Sequence, residues 1–110
     1  MPDQVDSISI VSPDAIHQCA VDHGWYEGIN KGNVTPHQVL AWVALMHSEL
    51  SEAVEGYRKG DMQNFAEELA DTVIRIFDTS AFMGIDIAAE VAKKHAANLK
   101  RPYKHGGKRL

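Results

Sequence analysis

Gly60-Asp61 interrupts two long stretches whose apolar residues recur at three- and four-residue steps, and that arrangement leaves the chain few folds to choose from. Before the interruption, Val39, Val43, Met46, Leu50, Ala53, Val54 and Tyr57 follow the helical period. After it, Phe65, Leu69, Val73, Ile76, Phe77 and Ser80 do the same. So short a connection makes the two helices antiparallel neighbours. No stretch alternates with period two over a useful length, so the pattern predicts an all-α fold. Leu50 and Leu69 lie near the middle of their stripes and are expected to face the core.

The remaining punctuation completes a four-helix reading. Ser12-Pro13 supplies an N-cap and a proline at the first helical position. That first helix is expected to run to about Trp25 and to end near Gly28 to Gly32. Thr35 and Gln38 have capping-box spacing and open the second helix, which reaches about Tyr57. Gly60-Asp61 starts a third helix running to about Met83. Gly84-Ile85-Asp86 starts a fourth, from Ile87 to about Leu99. Residues 1–11 read as an irregular leader. Pro102 and Gly106-Gly107 mark an irregular tail over residues 102–110. A length of 110 residues suits one domain spanning 1–110.

Composition excludes several classes of function. The net charge of -4 argues against a nucleic-acid polymer as partner, because phosphate backbones are held by clustered Lys and Arg. Basic residues do gather between Lys93 and Arg109, and that end is read as solvated. There is no apolar run near ~18 residues, so no membrane span is expected. Met1 to Val11 carries Asp3 and Asp6 and lacks a basic leader, unlike a secretory signal. The lone Cys19, a core or surface thiol, excludes an internal disulfide and fits a reducing compartment. A cytoplasmic location is the expectation.

Chemistry concentrates in two matched acid pairs, Glu49-Leu50-Ser51-Glu52 and Glu68-Leu69-Ala70-Asp71. Each pair spans three residues and projects from one side of its helix. In each helix the first acid lies roughly 100° and the second roughly 160° from the intervening leucine. Packed antiparallel, the two helices can bring four carboxylates together. Spacing alone leaves two readings, solvated acid pairs or a cation site. An all-oxygen set suits Mg²⁺, with Mn²⁺ as the other candidate, and leaves positions for water and phosphates. Arg75, one turn beyond Asp71, reads as a salt-bridge partner rather than a phosphate contact. Trp42 lies beside the acids and is expected to line a pocket or an interface. Glu55, Glu67 and Asp78 are expected on outer surfaces. No Glu has a His three residues later, which removes the di-iron bundle, and the six histidines lack zinc-ligand spacing.

Taken with the Glu67-Glu68-Leu69-Ala70-Asp71-Thr72-Val73-Ile74-Arg75 segment and with Lys94, Asn98, Arg101, Pro102 and Tyr103, the acid motif resembles the MazG-like, all-α nucleotide pyrophosphohydrolase superfamily. The resemblance runs from about Trp25 to the end of the chain. It implies a four-helix, bundle-forming subunit that assembles as a dimer or a dimer of dimers, with sites between subunits; a homotetramer is the expected form. It also implies Mg²⁺-dependent hydrolysis of a nucleoside triphosphate to the monophosphate and pyrophosphate, for nucleotide-pool control. By the same resemblance Glu49, Glu52, Glu68 and Asp71 hold the metal, and Glu52 orients the attacking water. Lys94 and Asn98 face phosphate and sugar, Arg101 and Tyr103 hold the triphosphate, and Trp25 stacks on the base. The tail from Gly106 to Arg109 reaches a neighbouring site. Two other functions fit the same residues: a nucleotide-binding sensor without turnover, and a helical assembly module.

Overall fold

A computed structural model describes residues 11–103. Within them the chain is all-helical: α1 (Pro13–Asp22), α2 (Pro36–Arg58), α3 (Met62–Phe82) and α4 (Ile87–Leu99). Residues 1–10 of the expected leader, and 104–110 of the expected tail, lie outside the described residues.

The helix starts form where their capping residues stand. Ser12 accepts a hydrogen bond from the Ala15 amide, with Pro13 directly behind it. Thr35 Oγ1 accepts from the Gln38 amide, and Gln38 Oε1 accepts from the Thr35 amide, completing the capping box. Asp61 and Asp86 accept from the amides of Asn64 and Ala89 and open α3 and α4. Each such cap is worth about 1 kcal/mol. The α2–α3 reversal turns on Gly60, whose φ of 75° is open to glycine at no steric cost. The first helix stops at Asp22, three residues short of the expected Trp25, because Gly24 takes a φ of 83° and turns the chain inward.

That turn delivers Tyr26 to the core. Tyr26, Trp42 of α2 and Phe82 of α3 are the large buried side chains, and they pin the three segments together. The Tyr26 and Phe82 rings stack at 4.8 Å, and Trp42 meets both edge-on at 5.4 and 5.0 Å. Such pairs add about 1 kcal/mol each beyond their area burial. Trp42 is thus a core residue first, and only its edge borders a small recess beside Trp25.

Along the rest of the hairpin, α2 and α3 meet through small residues. Ala53, Gly56 and Thr72 are buried. A Cβ on Gly56 would lie 2.6 Å from Asn64 Nδ2 and 3.1 Å from the Phe65 amide nitrogen, so the helices close to this distance only over a glycine. This contact corrects the expected core face. Leu50 and Leu69 are exposed, as are Val43, Val54, Tyr57 and Val73. The inward faces keep the other stripe residues, Val39, Met46 and Ala53 on α2 and Phe65, Ile76, Phe77 and Ser80 on α3, and add Leu45, Glu49, Glu68 and Arg75. The physical reason is coverage. A two-helix layer with one short helix across it has too little surface to shelter both stripes.

The fourth helix leaves the subunit's own core. It touches α3 weakly near the connection, and it has no buried residue. Accordingly the radius of gyration is 17.0 Å, against about 13 Å for a compact chain of this length. No described helix is long and apolar enough to cross a membrane.

Candidate metal centre

Glu49 from the middle of α2 faces Glu68 and Asp71 from α3. One carboxylate oxygen from each lies within 4.8 Å of the other two. The antiparallel hairpin causes this convergence, because the inward faces of both helices carry the acids across one gap. Thr72, beside Asp71, is buried and donates its hydroxyl to the Glu68 carbonyl, so no polar atom there is left unpaired. Glu52 is exposed and stands outside the group of three. Three of the four expected acids are therefore brought together, and the fourth lies one turn along α2.

The electrostatics follow from crowding. The Glu68 carboxyl is pushed up to about 7 from its usual 4.5. The largest cause is a hydrogen bond shared with Glu49, followed by lost hydration and then by the charges of Glu49 and Asp71. Like charges at this range cannot all ionise freely, so Glu68 holds its proton more tightly than a free carboxyl. Arg75 supplies part of the compensation: it is the salt-bridge partner expected, and its Nε donates across the hairpin to Glu49 Oε1 at 2.9 Å. The same guanidinium lies 5.7 Å above the centre of the Trp25 ring. The donor set of three close carboxylates, two of them half-buried, fits a hard divalent cation that keeps water in its remaining positions.

Beside the acids opens a cleft of about 520 Å³. One wall is α1, through Ile16 and Ala20, and the other is α3, through Ile74 and Arg75. Trp25 is 46% exposed and presents its ring to this space. Cys19 and His23 line the α1 rim, and the exposed thiol lies 3.7 Å from His23 Nδ1.

Asp78 requires a correction. Its side chain is 14% exposed rather than on an outer face. It accepts a hydrogen bond from His17 Nδ1 at 2.7 Å and lines the cleft. The sequence held the signal: Asp71, Arg75 and Asp78 stand at i, i+4 and i+7, so all three share a face. The cover comes from α1, whose His17 also packs edge-on against Tyr26 at 4.9 Å. The Tyr26 hydroxyl is buried and makes no well-formed hydrogen bond among the described residues. Burial, and secondarily the nearby Asp78 carboxylate, push its ionisation well above the usual tyrosine range. By contrast Glu55 and Glu67 are surface residues, as expected.

Lys94 and Asn98 ride on the exposed α4, and Arg101 and Tyr103 follow it. None of the four lines the cleft of its own subunit. No protein-family model matches the chain, and neither a curated protein nor a solved structure matches it.

Proposed function

We propose that this protein is a magnesium-dependent nucleoside triphosphate pyrophosphohydrolase of the MazG-like kind, cleaving a triphosphate to the monophosphate and pyrophosphate in nucleotide-pool control. The observation that carries the reading is the meeting of Glu49, Glu68 and Asp71 at the edge of a cleft that also holds Trp25 and Arg75. Acids, an aromatic face and a guanidinium match the three parts of a metal–nucleotide complex: cation, base and phosphates.

Each residue then has a task. Glu49, Glu68 and Asp71 hold Mg²⁺ or Mn²⁺, which when bound supplies Lewis acidity and an acidified water. Glu52, at the solvent side, completes the ligand set and orients the attacking water. Trp25 offers a stacking platform that tolerates any base. Arg75, beside the acids and Trp25, would offer its planar fork to two phosphate oxygens.

Lys94, Asn98, Arg101 and Tyr103 act in this reading on a neighbouring subunit's substrate, since α4 extends away from its own cleft. The exposed faces of α2 and α3 support such an assembly: Val54 is 55% and Tyr57 62% exposed on α2, and Val73 46% on α3. A second copy of the chain covers them, giving a homodimer or, with a further pair, a homotetramer. The tail from Gly106 to Arg109, expected to reach a neighbouring site, lies outside the described residues.

The test is pyrophosphate release from a panel of ribo- and deoxyribonucleoside triphosphates with Mg²⁺. Turnover to monophosphate and pyrophosphate is expected, with losses of about 100-fold or more in Glu52→Gln and Asp71→Asn. Tight magnesium-dependent binding without turnover would instead make the protein a sensor. Neither binding nor turnover would leave a helical assembly module.

A further inference from the structure

We propose that Asp78 selects the base, so that the cleft takes a nucleobase with an exocyclic amino group, cytosine or adenine, in preference to its carbonyl counterpart. This rests on the reading of the cleft as a nucleotide site and names the class of base it accepts.

A pocket that is mostly apolar takes its specificity from the few polar groups placed in it. Away from Glu49, Asp71 and Arg75, the space beside Trp25 is bounded by Ile16, Ala20 and Ile74, with Cys19 and His23 at the α1 rim. Asp78 is the carboxylate set among them. It borders both the main cleft and the small recess behind Trp25, so it stands next to the stacking surface. A flat ring lying on Trp25 therefore presents an edge toward Asp78.

The chemistry of that edge decides the preference. An ionised carboxylate only accepts hydrogen bonds and has about four lone-pair sites. His17 Nδ1 occupies one, on Oδ1. The buried Tyr26 hydroxyl faces the same carboxylate from the core, and the sites left toward the cleft welcome an amino group, as a carboxylate does when it reads the N4 amino group of cytosine. A ring carbonyl at the same place sets acceptor against acceptor and leaves both unpaired. His17 also fixes the direction of the carboxylate, because its ring is held edge-on by Tyr26 and Phe82 at 4.9 and 6.1 Å. A carboxylate serving only as an ion-pair partner for His17 would show none of this discrimination.

The experiment is calorimetric binding of the non-hydrolysable α,β-imido analogues of dCTP and dUTP, with Mg²⁺, to the wild type and to Asp78→Asn. The wild type is expected to bind the cytosine analogue about 10-fold or more tightly. In Asp78→Asn the ratio is expected to fall to near one, because an amide turns either a donor or an acceptor to the ligand. Equal affinities in the wild type, a preference for uracil, or a cytosine preference that survives in a folded Asp78→Asn would each overturn the assignment. The wild-type comparison needs no variant, and matched adenine and hypoxanthine analogues repeat it on a purine. A variant that fails to fold therefore does not protect the proposal. Binding without discrimination defeats only the role of Asp78; no binding of any analogue defeats the nucleotide reading and this role with it.

Discussion

Glu68 joins structure to solution behaviour at the scale of one residue. Its carboxyl is raised from 4.5 to about 7 in the folded chain by Glu49, by lost hydration and by Asp71. A raised folded value means that the native state holds the proton more tightly than the unfolded chain does. The associated stability is complete below about 4.5 and is lost as the pH rises through about 7. Metal-free protein is therefore expected to melt at progressively lower temperature across that window, and Glu68→Gln to flatten the trend. Mg²⁺ should flatten it too, by displacing the proton. Calorimetric Mg²⁺ titrations at pH 6 in two buffers of different ionisation heat would measure that release; equal heats in both would refute it.

Among the elements, the α2–α3 hairpin is the most exacting. Gly56 lets the helices approach to a distance that a side chain forbids, with backbone as well as side-chain atoms of the facing turn in the way. Gly56→Val is expected to destabilise the fold by about 3 kcal/mol, the upper range for forcing atoms into a packed contact. A thermal midpoint within a few degrees of the wild type would contradict that close packing. The hairpin was also the most legible part of the sequence. Its turn, both its caps and its antiparallel course follow from Thr35, Gln38, Gly60 and Asp61, which act within a few residues of themselves. Three of the four acids were legible for the same reason, as helical spacing fixes direction. The buried face of each helix was legible only in part. Periodicity names an apolar stripe but not which neighbour covers it, and here glycine and alanine at the crossing drew the inward face away from Leu50 and Leu69. Asp78 was misplaced because its cover comes from α1, through a contact 61 residues away in the chain.

The whole subunit shelters little of what it carries. Among the described residues its large buried side chains are three aromatic rings, while α4 and half of the apolar stripes of α2 and α3 face outward. Soluble monomers seldom expose apolar patches beyond a few hundred Å² unless these are interaction sites. Sedimentation is expected to give a dimer or tetramer for the wild type and a monomer for Val54→Lys combined with Val73→Lys. Triphosphate hydrolysis should fall with assembly if α4 serves a neighbouring cleft. A monomeric wild type, or a fully active monomeric variant, would remove that arrangement.

One side chain links these scales. Arg75 is held at one end by Glu49 and lies across Trp25 at the other. On the proposed reading, a cation at Glu49 and a flat ring on Trp25 both meet the same guanidinium. Whichever comes first bears the work of moving it, and the second finds the space already cleared. Their affinities are therefore coupled, and by equal factors in both directions. On that reading, Arg75 makes the two halves of the cleft a single cooperative unit.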